Sequence, residues 1–187
     1  VFKSEFTESL ETLGIDASPA LSRRGEPVPY RVRDVVPIII HGKVATVRAY
    51  QEWITGTDPP LKRYHQLRIA TKGLRYTLEY FQEVLGPDAS MLIDKVIDLQ
   101  DHLGTLQDAI VACNLLRDFL TWGTWGHPQR KGASWPTEPV VAPGVAIYMA
   151  ARQAELQRQI DTFPQAWEEV QSREFSQLVE SALSALW

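Results

Sequence analysis

The sequence predicts an all-α fold, an antiparallel bundle of about four long helices with shorter helical pieces at the ends. Three observations predict it. Apolar residues recur at spacings of three and four over long stretches, no segment alternates as a half-buried strand would, and glycine and proline cluster between the periodic stretches. With 187 residues, 44% hydrophobic and 22% charged, the chain can bury a real core, and its composition excludes a disordered or fibrous protein.

Residues 1 to 13 carry a short amphipathic pattern, and "GIDASPALSRRGEPVPYRVRD" then adds glycine and three prolines, which reads as a linker. A first long helix is expected from near Pro37, since proline suits a first turn, through Val44 and Val47 to about Trp53, where "TGTDPP" ends it. A second is expected over residues 61 to 85, stopped by Gly86 and Pro87. Asp88 stands where an N-cap belongs. Leu92, Val96, Leu99, Leu103, Leu106, Ile110 and Cys113 follow at alternating spacings of four and three, so one helix should cross Gly104 and reach about Leu120. Residues 121 to 143 hold three tryptophans and four prolines and read as a long loop, either functional or an apolar patch laid on the bundle. From Gly144 a helix resumes, breaks near Pro164, and continues to the C-terminus with Phe175, Leu178, Val179, Leu183 and Leu186 as its apolar side.

The total charge of −4 conceals a segregation. Residues 61 to 78 hold five cations (Lys62, Arg63, Arg68, Lys72 and Arg75) and no acid, so the rest of the chain sums to −9. At roughly 100° per residue, Leu67, Ala70, Leu74, Leu78, Phe81 and Leu85 form the core stripe of this helix. His65, Arg68, Lys72, Arg75 and Tyr76 fall on the other side and stack into a line about 15 Å long. A solvated helix face ordinarily interleaves acids with bases, because like charges a turn apart repel by a few tenths of a kcal/mol. Here Arg68 faces Lys72 and Lys72 faces Arg75, and only Glu79 offers relief. Such a line either meets acids brought in from another helix or stays free for a ligand with repeated negative charge. The second is the leading expectation, with arginine supplying forked donors to phosphate oxygens, lysine a point charge and protonated His65 a further donor. Lys43 and Arg48, in the preceding helix, are candidates to extend it.

The segment "HQLRIATKGLRYTLEYF" followed by "LQDHLGTLQD" closely resembles the second repeat of CHAD domains, the conserved histidine α-helical domains. His65, Arg68, Lys72, Arg75 and Tyr76 match its basic helix, and Leu103, Gly104 and Asp108 match its downstream motif. The resemblance covers most of residues 30 to 187. It implies a helical bundle, binding of inorganic polyphosphate in a basic groove, and localisation at polyphosphate granules in bacteria. Asp108 is then expected in a supporting role, orienting an arginine. CHAD domains have two similar halves facing each other across the groove, whereas a single basic helix is found here. Residues 1 to 30 are therefore expected to be the tail of a preceding half plus a linker, and residues 31 to 187 the second half. The initial Val1 fits that division. A second CHAD half or an identical chain would supply the other wall.

Other functions find less support. His41, His65, His102 and His127 lack the paired spacing or cysteine partners of zinc sites, so no metal is expected, nor any cofactor. No GxxxxGK[ST], GxGxxG or GxSxG occurs, no nucleophile sits beside an obvious base, and the ExExK signature of the CYTH modules often fused to CHAD domains is absent, so no catalysis is expected. Arg130 and Lys131 read as solvated. The only cysteine, Cys113, cannot form an internal disulfide and fits a reducing compartment, and no run of about 18 apolar residues exists, so a cytoplasmic protein without a membrane partner is expected. Nucleic acid is disfavoured, because aromatic residues other than Tyr76 are not interleaved with the cations. The competing function is a helical scaffold that docks the basic face onto an acidic protein partner.

Overall fold

The computed structural model describes residues 20–21, 25, 27–28, 31–54, 60–123, 125 and 140–187. The amphipathic stretch 1–13 and most of the Trp-rich loop, with Arg130, Lys131 and His127, lie outside the described residues. Within the expected linker, β1 (Ala20–Leu21) pairs antiparallel with β2 (Pro27–Val28), a two-residue ladder that leaves the architecture all-helical. Four long helices carry the fold: α1 (Val32–Arg48), α3 (Leu61–Phe81), α4 (Ala89–Trp122) and α5 (Pro143–Gln171). Short α2 (Gln51–Ile54) follows α1, and α6 (Arg173–Ser184) closes the chain.

Helix α4 is the hub, packing against α3, α5 and α6, while α1 packs on α3. Its stripe of Leu92, Val96, Leu99, Leu103, Leu106 and Ile110 is buried as its spacing requires, and the helix crosses Gly104 without interruption. Each fully buried leucine contributes about 1.5–3 kcal/mol from apolar burial, enough to hold the register of a long helix. The αL residue Gly123 (φ 72°) ends α4, its N–H donating to the Phe119 carbonyl at 2.8 Å. Trp125 stacks on Phe119 just beyond that cap, with ring centroids 4.5 Å apart.

Pro37 and Pro164, expected to mark boundaries, lie inside helices. Helix α1 begins five residues before Pro37 because Val35 and Val36 already bury on the same side as Ile39 and Ile40, and it stops at Arg48 rather than at Trp53. Helix α5 runs through Pro164, since Phe163, Trp167 and Val170 all anchor in the core. Each proline forfeits one backbone bond, which burial on both sides of it outweighs. The break falls instead at Ser172, whose Oγ accepts the Phe175 N–H at 3.0 Å and caps α6. Helix α3 ends at Phe81 in a 3₁₀ turn over Gln82–Val84, so Leu85 enters the core from beyond the helix. Asp88 holds the N-cap position of α4 but does not cap it; its Oδ2 accepts the Ser181 hydroxyl at 2.5 Å and fastens α4 to α6.

Candidate functional site

Helix α3 positions the site because its inner stripe cannot rotate. Leu67, Leu74 and Leu78 are buried as expected, and Tyr64 and Thr71 join them. Tyr64 packs edge-on against Phe163, with centroids 5.0 Å apart, and Thr71 is tolerated in the core because its Oγ1 donates to the Leu67 carbonyl at 2.9 Å. With five inward anchors, the residues at intervening positions must face outward.

On that outer side Lys72 is exposed, and its Nζ lies 5.4 Å from the ring centroid of Tyr76. The Arg75 guanidinium lies at the same 5.4 Å from that ring, so Tyr76 sits between two cations, a contact worth about 0.5–1 kcal/mol each at an exposed site. Arg75 Nε also donates to Glu79 Oε1 at 2.9 Å. Arg68 is half-buried, and its side chain makes no hydrogen bond or ion pair among the described residues. Its buried Nε is left unsatisfied, a state that costs about 1–3 kcal/mol. His65 is exposed and is tied to α4 through Nδ1, which lies 3.2 Å from Gln107 Oε1. Ile69 (57% exposed), Tyr76 (49%) and Tyr80 (66%) give the same face an apolar component.

The two candidates from α1 part ways. Lys43 reaches α3: its Nζ stands 4.0 Å from where a Cβ on half-buried Gly73 would be, an ordinary contact distance. Gly73 lies roughly 140° and 160° around the helix from Arg68 and Arg75, so Lys43 borders the face on its far flank, beside Tyr76 and Ile69. Arg48 does not join it. Its Nε and Nη2 donate to the Val170 carbonyl at 3.1 and 2.9 Å, Nη2 donates to Ser176 Oγ at 2.9 Å, and the guanidinium lies 5.6 Å from the Phe175 ring centroid. An arginine at the end of one helix thus satisfies one of the last carbonyls of another, at the corner between α5 and α6.

Asp108 is exposed and orients no arginine among the described residues, whereas its neighbour Gln107 reaches His65 on α3. Arg63 is likewise engaged, its guanidinium 3.9 Å from the Trp53 ring centroid and its Nη1 donating to Gln66 Oε1 at 3.0 Å. Of the remaining histidines, His41 lies 3.6 Å from Glu180, and His102 Nε2 is 2.8 Å from the Gln159 carbonyl. Among the described residues no three His, Cys, Asp or Glu side chains come together as a metal site, and no helix is long and apolar enough to cross a membrane.

What this face offers is a short row of cations on a rigid helix, of which only Arg75 meets a carboxylate among the described residues. A family model described as CHAD domain matches residues 2–117, which include α1, α2, α3 and α4 as far as Arg117. No curated protein matches the chain.

Proposed function

The chain belongs to the CHAD domain family, which is associated with polyphosphate-related proteins, and from this premise we propose that the outer face of α3 binds inorganic polyphosphate without catalysing its turnover. Arg68 and Lys72 are the central contacts, His65 and Arg75 extend them along the helix, and Lys43 adds a cation on the flank. Tyr76 holds the Lys72 and Arg75 heads apart. The carrying observation is that Arg68 and Lys72 have no carboxylate partner among the described residues, together with the unsatisfied Nε of Arg68. Uncompensated cations repel one another at a cost that a bound polyanion removes. On this reading the protein works in the cytoplasm, at polyphosphate granules, and a second CHAD half or an identical chain completes the groove.

Exposed Ile69 and Tyr80 favour a second reading, in which the face docks an acidic helix of a protein partner and uses its apolar residues as well. Reversing two charges, with Lys72→Glu and Arg75→Glu in one chain, separates the readings. Polyphosphate binding should be lost while helix content and assembly state are kept. Retained polyphosphate binding would contradict the first reading, and loss of a protein partner from a chain that never bound polyphosphate would establish the second.

A further inference from the structure

Among the described residues His65 makes one polar contact, between its Nδ1 and Gln107 Oε1 at 3.2 Å. An amide oxygen only accepts, so the ring nitrogen facing it carries the hydrogen. Neutral His65 is thereby held as the Nδ1–H tautomer, although the Nε2–H form prevails for free imidazole side chains in water. Its Nε2 has no hydrogen-bond partner among the described residues and presents a lone pair, which repels a phosphate oxygen. A proton added at Nε2 leaves the bond to Gln107 in place and turns that edge into a charge-assisted donor.

From this geometry we propose that Gln107 is a positioning residue that makes His65 a proton-dependent phosphate ligand, so that polyanion binding takes up a proton. The inference rests on the polyphosphate reading of the α3 face and gives α4 a part in it. The charged residues within a turn of His65 along α3 are Lys62, Arg63 and Arg68, and within a turn of Gln107 along α4 only Asp108. Arg63 is held over Trp53, and neither His65 nor Asp108 has an ion-pair partner among the described residues. A phosphate chain lying on Arg68 supplies the opposite charge that favours an imidazolium.

Two measurements on the full chain test this. Nitrogen NMR of the imidazole rings above about pH 8, where imidazoles are ordinarily neutral, should find His65 as Nδ1–H in the wild type and as Nε2–H in Gln107→Leu. A wild-type ring carrying its hydrogen on Nε2 overturns the inference. Titration with inorganic polyphosphate at fixed salt should show affinity rising about threefold to tenfold from about pH 8 to about pH 6. The rise should flatten in His65→Ala and in Gln107→Leu, and persist in Gln107→Glu, which keeps an acceptor opposite Nδ1. A wild-type slope surviving Gln107→Leu or His65→Ala sinks this inference alone. Absence of polyphosphate binding at both pH values sinks the proposed function and the inference with it.

Discussion

Arg75 and Glu79 form an ion pair one turn apart on α3, with Nε 2.9 Å from Oε1, and this is the single carboxylate contact made by the basic row among the described residues. The pair is partly exposed and of the less favourable order, arginine preceding glutamate, so it contributes only about 0.3–0.5 kcal/mol to the helix. Its larger effect falls on the ligand, because Glu79 repels a phosphate chain that Arg75 attracts. Glu79→Gln should raise polyphosphate affinity about twofold to fivefold at low salt. An unchanged or lower affinity in a titration at fixed pH would remove Arg75 from the binding face.

Arg48 serves stability. Replacing it with methionine keeps the apolar stem and deletes the donors to Val170 and Ser176. The loss should be about 1.5–3 kcal/mol, the range for hydrogen bonds made by a charged group. Denaturant titration should report that loss while polyphosphate affinity stays the same. Weakened binding at wild-type stability would return Arg48 to the ligand site.

Gly86 is where the turn after α3 touches α6. Its N–H donates to the Ala182 carbonyl at 2.7 Å, and a Cβ placed on it would stand 3.1 Å from the Ser181 carbonyl oxygen and 3.4 Å from that of Ala182. Gly86→Ala must push that backbone away and should destabilise by about 1–3 kcal/mol. A denaturation midpoint equal to the wild type would contradict the tight packing of this corner.

Lys95 predicts a loss of stability in alkali. Its Nζ donates to Glu169 Oε2 at 2.8 Å, and that bond, then the charge of Glu169 and more distantly of Asp98 and Glu174, raises the ammonium pKa against a smaller desolvation effect. A folded pKa above the unfolded one stabilises fully below the ordinary lysine range near 10.4, and the contribution vanishes as pH climbs through the folded value. For a solvent-exposed pair this amounts to less than about 1 kcal/mol. From about pH 10 to about pH 12 the wild type should lose more stability than Glu169→Gln, and parallel losses would refute the linkage.

The division between what was legible in the sequence and what was not follows the range of each contact. The inner stripes of α3 and α4 could be read because leucines three and four residues apart need no knowledge of other helices. The outward line of His65, Arg68, Lys72, Arg75 and Tyr76 followed by complement. Tyr64 and Thr71 escaped notice, since a phenol and a hydroxyl look polar until Phe163 and the Leu67 carbonyl are seen beside them. Pro37 and Pro164 misled because local propensity was weighed without the burial on either side. Arg48 could not be placed, as its acceptor at Val170 lies 122 residues away in the sequence. Gln107, 42 residues from His65, lies inside the LQDHLGTLQD motif, but that motif pointed to Asp108 beside it and gave no sign of a contact with α3.

The salt dependence of polyphosphate binding tests the central claim most directly. Four phosphate contacts on a flexible single-stranded polyanion release enough counterions to give a slope of roughly −3 in log K against log salt concentration. Lys72→Glu should make that slope shallower as well as weaken binding. A slope near zero in the wild type would mean that the cations of α3 do not hold the ligand, and the account would fail.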